Sequence, residues 1–196
     1  QLPFRFMVSP IYRVWQLEKV GRKIAKLQGR LFTHDMLRQV LTLALIHKHT
    51  REFENPGSVL NIGDGYGFMS SLFLSAYPDR KVICVNLTKS LLVDAIFVGR
   101  GVPGVNTALV TNLEDLEKAV ADSAINLVLV QADNANILAS IPIGLATNLV
   151  SMQEMEMPVV KNYFKILRQN PANKTLFYCC NKLMKVLPDG STIRFD

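Results

Sequence analysis

The chain has 196 residues, 49% of them apolar, which fits one domain with a sizeable core. No apolar run reaches the roughly 20 residues that cross a bilayer; the longest candidate, 137–150, is broken by Pro142. The net charge of +6 is uneven: residues 1–51 hold ten Lys/Arg against two Asp/Glu and the rest hold twelve against fourteen, so a basic segment precedes a near-neutral body and points to an anionic partner.

Residues Pro10 to Arg30 read as a helix, with Leu17, Val20, Ile24, Leu27 and Leu31 as its apolar stripe. Lys19, Arg22, Lys23, Lys26 and Arg30 form a basic stripe beside it. It is either a solvated face or a surface for a phosphorylated or acidic substrate or an acidic membrane. Nucleic acid is disfavoured, because no base-stacking aromatics are interleaved with these charges. Thr33 is placed to cap a second helix running to about His49, with Asp35 in its first turn and Met36, Leu37, Val40, Leu41, Ala44 and Leu45 facing the core. The polar linker Glu52–Gly57 divides a helical segment, 1–54, from the body, 55–196. The N-terminal helices also offer a surface for a homo-oligomer.

Ser58 to Thr88 reads as strand, glycine turn, helix, strand. Val59–Ile62 leads into Gly63, Gly65 and Gly67; Phe68–Tyr77 suits a helix; Val82–Val85 ends at Asn86. Glycine lets the backbone approach a ligand, and the helix N-terminus offers free N–H groups, so such turns form nucleotide pockets. The dinucleotide fingerprint G-x-G-x-x-G needs a small residue where Phe68 stands. The observed G-x-G-x-G resembles motif I of class I S-adenosylmethionine-dependent methyltransferases.

Lys89–Val98 reads as the next helix, ended by the glycine-rich stretch Gly99–Gly104. Asn112–Asp122 is a short acidic helix capped by Asn112. Ile125–Val130 and Ile141–Val150 are near-continuous apolar runs, typical of strands buried on both faces. Pro158–Gln169 is helical, with Val159, Val160, Tyr163, Phe164 and Leu167 facing inward, and Thr175–Cys180 is a strand. The turn Leu187–Gly190 pairs Lys182–Val186 with Ser191–Phe195 as a hairpin. Strands alternate with helices, which predicts an α/β fold: a Rossmann-like, doubly wound, mainly parallel sheet with helices on both faces, a C-terminal antiparallel hairpin and an N-terminal helical appendage. Cys84, Cys179 and Cys180 have neither disulfide nor metal-ligand spacing and read as buried, reduced thiols of a cytoplasmic protein, with peripheral membrane contact left open.

Ligands of open α/β sheets bind past the carboxyl ends of the strands. That rule selects Gly63–Gly67 with Asp64 and Tyr66, then Asn86 with Leu87, Gln131–Asn134, and Asn148–Glu154. Three segments, VLNIGDGYG at Val59–Gly67, NLVSMQEM at Asn148–Met155 and YCCNK…LPDGSTIRF at Tyr178–Phe195, together resemble the sugar O-methyltransferase family, a class I branch tied to polysaccharide biosynthesis; the likeness covers about residues 58–195. It implies S-adenosyl-L-methionine as cofactor and a sugar or glycan acceptor, including phosphorylated or nucleotide-linked forms. It implies that Gly63, Gly65 and Gly67 cradle the methionine part and that Asn86 holds the ribose hydroxyls. Asp133 or its neighbours would border the adenine, and Ser151–Glu154 would face the methyl group and the acceptor, with Asn148 beginning that motif. Glu154 is the first candidate for the base, followed by Asp133 and His34; no metal is required.

The family pattern has acids where this chain has Asn61 and Asn86. An amide accepts more weakly than a carboxylate, which keeps open a second reading, a catalytically weak or inactive binding module. On that reading Asp at position 86 would rescue cofactor binding. A nicotinamide-dependent oxidoreductase is the third reading.

Overall fold

A computed structural model describes residues 14–49, 57–172, 174–186, 190 and 192–194. The start of the first predicted helix, most of the 52–57 linker with the proposed domain boundary, and most of the 187–190 turn lie outside the described residues. The elements run α1 (Val14–Leu27), α2 (His34–His49), β1 (Ser58–Ile62), α3 (Phe68–Ala76), β2 (Val82–Asn86), α4 (Thr88–Gly101), β3 (Thr107–Val110), α5 (Leu113–Ala121) and β4 (Leu127–Gln131). A 3₁₀ segment (Ala132–Ser140), β5 (Ile143–Leu149), a 3₁₀ turn (Met152–Glu154), α6 (Met157–Arg168), β6 (Leu176–Cys180) and the strands β7 (Met184–Val186) and β8 (Thr192–Arg194) follow.

Six strands form one parallel sheet in the order β3-β4-β2-β1-β5-β6, and β7–β8 pair antiparallel. The chain crosses the sheet in one direction from β1 to β2 to β3. It then reverses, and every later step, β3 to β4, β4 to β5 and β5 to β6, runs the other way. Right-handed crossovers therefore send α3 and α4 to one face and α5, the 3₁₀ segment and α6 to the other. Side chains obey the period of two: Val59, Val82, Cys84, Leu127 and Leu129 enter the first core, and Leu60, Ile62, Ile83, Val85, Val128 and Val130 the second.

That winding leaves the β1–β5–β6 half of the first face uncovered by α3 and α4. The N-terminal helices fill it. Val40, Leu43 and Ile46 of α2 share a core with Leu145, and with the part-buried Leu149, Leu176 and Tyr178. The buried face of α1 is Val14, Glu18, Gly21, Ile24 and Ala25, rotated from the expected leucine stripe; Leu31 is 88% exposed and Leu27 41%. Small residues decide this. A Cβ on Gly21 would stand 2.8 Å from Val40 Cγ2 and 3.2 Å from Phe32 Cε2, so the helices meet where glycine lets them approach. On α2 the buried face is Met36, Gln39, Val40, Thr42, Leu43, Ala44 and Ile46, while Leu37, Leu41 and Leu45 are only half-buried.

Two further expectations change. Helix α4 runs through Gly99 to Gly101 rather than stopping at Val98, because Gly101 packs closely on Ile24, Gln28 and Ser71. Strand β3 carries no apolar run that would mark it in the sequence: it is a four-residue edge strand with a mostly exposed pattern. Val159 and Phe164 of α6 are not fully buried; Val160, Tyr163 and Ile166 are.

Candidate functional site

The crossovers that leave the neighbouring strands β1 and β5 go to opposite faces of the sheet, and their carboxyl ends open onto the rim where such sheets bind ligands. Two clefts lie there. The larger, of about 470 Å³, is lined by Gly63, Gly65, Asn86, Leu87, Ser90, Ala132, Ser151, Glu154, Met155, Glu156, Val159 and Tyr163, with Val85 beneath. The smaller, of about 230 Å³, lies between α2 and the glycine turn and is lined by Asp35, Arg38, Gln39, Asn61, Gly63, Asp64, Met69, Leu149 and Val150. Gly63 belongs to both.

The three turn glycines are left-handed for different reasons. A Cβ on Gly63 (φ +71°) would fall 2.3 Å from Ser151 Oγ. One on Gly67 (φ +60°) would fall 2.5 Å from Val98 Cγ2. One on Gly65 (φ +84°) would meet nothing within 4 Å. Gly63 and Gly67 thus make room for the protein itself, and Gly65 presents bare backbone to open space in the larger cleft.

Two carboxylates hold the turn. Asp64 accepts from Met69 N (3.0 Å) and Ser70 N (2.7 Å), so it occupies the N-terminus of α3. Burial raises its carboxyl above the usual range, against the hydrogen bonds from Ser70 and Met69. Asp94, fully buried on α4, accepts from Gly67 N (2.9 Å), from Asn86 Nδ2 (2.8 Å) and from Cys84 Sγ. Burial, and then the charge of Asp64, push it up to about 7. Burial also lifts the Cys84 thiol well above its ordinary value, with the two acids adding to it. Sequence reasoning missed Asp94. The available signal was a lone acid among the apolar residues of α4, eight positions after Asn86.

Asn86 is therefore held at both ends: its amide on Asp94 and its carbonyl on Leu87 N (2.9 Å). Asn61 lies just beneath the rim, donating to Ser70 Oγ (3.2 Å) and accepting from Thr147 Oγ1 (3.1 Å). Asn148 is buried and serves as a hub. It donates to Ile62 O (2.9 Å) and to Ser151 Oγ, and it accepts from Met152 N (3.1 Å) and Asn181 Nδ2 (2.8 Å). Asn181 in turn accepts from Gln153 N (3.1 Å), and Gln153 Oε1 accepts from Lys182 N (2.9 Å). The Asn148–Met155 and Tyr178–Lys182 motifs, apart in sequence, are thus one hydrogen-bonded knot. Val150 links the hub to the loop with φ 65°, an unusual conformation for a β-branched residue.

Glu154 lines the larger cleft and is ion-paired with Lys185 of β7. Ser151 Oγ donates to Ile62 O (3.0 Å). Tyr66 points away, edge-on to Phe97 (5.5 Å between centroids) and under the Arg30 guanidinium (4.3 Å). Asp133 lies outside both linings and accepts from Gln131 Nε2 (3.1 Å), while its neighbour Ala132 lines the larger cleft. His34 starts α2, exposed and outside both linings, one residue before Asp35 of the smaller cleft. The rim thus gathers Gly63, Gly65, Asn86, Leu87, Ser151 and Glu154 into one space; Asn61, Asp64, Gly67 and Asn148 support it from behind or from the smaller cleft. Among the described residues no helix is long and apolar enough to cross a membrane.

No family model matches the chain, and no curated protein matches it. Among solved structures it is similar to the glycopeptide N-methyltransferase MtfA complexed with sinefungin, with 17% identity over 77% of this chain and 63% of that chain, at a TM-score of 0.41. The chain thus spans less than two thirds of that protein's length.

Proposed function

We propose that this chain is an S-adenosyl-L-methionine-dependent O-methyltransferase acting on a hydroxyl of a sugar or glycan. One observation carries the choice of cofactor. The N–H groups at the start of α3, which in a dinucleotide-binding turn hold a pyrophosphate, are taken by the Asp64 carboxylate. With Asp94 behind it, the turn favours a cationic ligand over a phosphate, and a sulfonium nucleoside fits that field. Phe68, buried where the dinucleotide fingerprint needs a small residue, supports the same choice.

The residues present fit this group. Gly63 and Gly65 offer backbone to its methionine part, with no Cβ in the way at Gly65. Asn86 keeps a second lone pair on Oδ1 for ribose hydroxyls, and Leu87, Ala132, Val159 and Tyr163 supply apolar walls for a base. When bound, the cofactor supplies a methyl group on an already activated leaving group. The chain must orient the acceptor, exclude water and take up a proton. We assign the uptake of the hydroxyl proton to Glu154, supported by its position in the lining of the larger cleft and its ion pair with Lys185. The pairing of Asn86 with Asp94 supports reading position 86 as an adapted site, with the acid set one step back.

Calorimetric titration with S-adenosylhomocysteine and with NADH tests the reading. Binding of the first and not the second is expected. Heat from NADH alone, or none from S-adenosylhomocysteine up to millimolar concentration, overturns it. For catalysis, Glu154→Gln should lower methyl transfer by about 100-fold or more with S-adenosylhomocysteine affinity unchanged.

A further inference from the structure

The smaller cleft, between α2 and the glycine turn, contains polar groups left unfinished. Gln39 is 8% exposed; its Nε2 donates to Asp35 Oδ2 (3.0 Å), while its Oε1 is buried with no partner among the described residues. Arg38 pairs through Nη2 with Asp35, while its Nε–H is likewise buried and unpartnered among those residues. Two consecutive residues of the lining thus carry one orphan acceptor and one orphan donor. Leaving such groups unmet is costly, so their retention points to a ligand that completes them.

We propose that this cleft is the acceptor site and takes an uncharged, hydroxyl-bearing sugar ring through Arg38 and Gln39. This rests on the methyltransferase reading above. A hydroxyl both donates and accepts, so neighbouring hydroxyls satisfy Gln39 Oε1 and Arg38 Nε–H together. A volume of about 230 Å³ admits one monosaccharide ring. Asp35 neutralises Arg38, and Asp64 adds a carboxyl to the lining, so the cleft disfavours a phosphorylated or uronic acceptor. The larger cleft, of about 470 Å³, is roomy enough for a nucleoside with its amino-acid tail, and the two meet at Gly63, so the reacting hydroxyl has to reach across that seam toward the methyl group and Glu154, which lines the larger cleft.

The test is a ¹⁵N–¹H NMR titration, with the Gln39 side-chain amide assigned by its loss in Gln39→Leu. Methyl α-D-glucoside, methyl α-D-mannoside, methyl α-D-galactoside, methyl α-L-rhamnoside and D-glucuronate are added with and without saturating S-adenosylhomocysteine. At least one neutral glycoside is expected to shift the Gln39 amide and the Arg38 Nε–H. D-glucuronate should not, and Gln39→Leu and Arg38→Met should each weaken that glycoside about tenfold or more while leaving S-adenosylhomocysteine affinity within twofold. A Gln39 shift on S-adenosylhomocysteine alone, with none from any glycoside, assigns the cleft to the cofactor and overturns the proposal, as does silence toward all five sugars or a preference for D-glucuronate. If S-adenosylhomocysteine does not bind but a neutral glycoside still shifts Gln39, the sugar site stands and the cofactor reading fails.

Discussion

Replacing Gly63 with alanine should be far more damaging than replacing Gly65, although both have left-handed φ. The left-handed conformation costs a non-glycine residue about 1–2 kcal/mol, and Gly65→Ala should cost little more, because its Cβ enters open space. At Gly63 the new Cβ would fall 2.3 Å from Ser151 Oγ and 2.6 Å from Ser151 Cβ. Ser151 cannot turn aside freely, since Oγ donates to Ile62 O and accepts from Asn148. Expelling it forfeits two hydrogen bonds at about 1 kcal/mol each, for a total near 3–4 kcal/mol. Ser151→Gly removes the same two bonds and should cost about 2 kcal/mol. The double variant should therefore be no worse than Gly63→Ala alone, giving a coupling of about 2 kcal/mol, whereas Gly65→Ala and Ser151→Gly should add. Urea unfolding followed by far-ultraviolet circular dichroism measures the wild type, the three single variants and the two double variants. Additivity between Gly63→Ala and Ser151→Gly would refute the placement of Ser151 against the turn. S-adenosylhomocysteine titration should show the reverse ranking per unit of stability lost, with Gly65→Ala weakening binding while barely destabilising the fold.

Asn86→Asp should weaken the protein rather than rescue the cofactor site: its new carboxylate would stand where the amide now donates to Asp94 at 2.8 Å, costing about 1–3 kcal/mol at pH 8 and much less at pH 5, where the pair can share a proton. Adding Asp94→Asn to that variant should restore both stability and S-adenosylhomocysteine affinity; improved affinity in Asn86→Asp alone would contradict the pairing. Because Asp94 is raised from 3.8 to about 7 in the folded state, its contribution to stability is fully present below pH 4 and is lost as pH rises through 7. The stability of the wild type relative to Asp94→Asn should thus fall between pH 4 and pH 8, and a gap that widens with pH would exclude this account. Asn148→Leu, which strips four hydrogen bonds from a buried hub, should cost about 3–5 kcal/mol by urea unfolding and expose the 150–153 loop to limited proteolysis; a loss below 1 kcal/mol would show the knot to be dispensable.

The central unit was readable because each local signal agreed with the fold. Buried parallel strands are apolar throughout, as in Val82–Val85, and glycine turns announce themselves. What was unreadable depended on distant partners. The buried face of α1 follows Gly21 and Ala25, and their role appears only when Val40 and Phe32 are in place. Strand β3 carries no buried run because it is a sheet edge with one fully buried residue, Val110. Position 86 looked deficient in sequence because the acid that serves it lies nearly two turns into the next helix. Asn148 and Ser151 were marked by their motif, but their task of tying β1 to the 181–182 segment is a fact of three dimensions. The α2 wall of the smaller cleft gave no sequence signal, since Arg38 and Gln39 sit among ordinary polar helix residues.

The winding of the sheet also sets a timetable for assembly. Helices α1 and α2 emerge from the ribosome ahead of every described strand, yet much of their resting place, including Leu145, Leu176 and Tyr178, is made later. Until β5 and β6 dock, an apolar pair of helices waits with part of its surface unmatched, and the long sequence separation slows closure. In the cell this chain should therefore depend on chaperones early in its synthesis and shed that dependence only when the final parallel strand is in register.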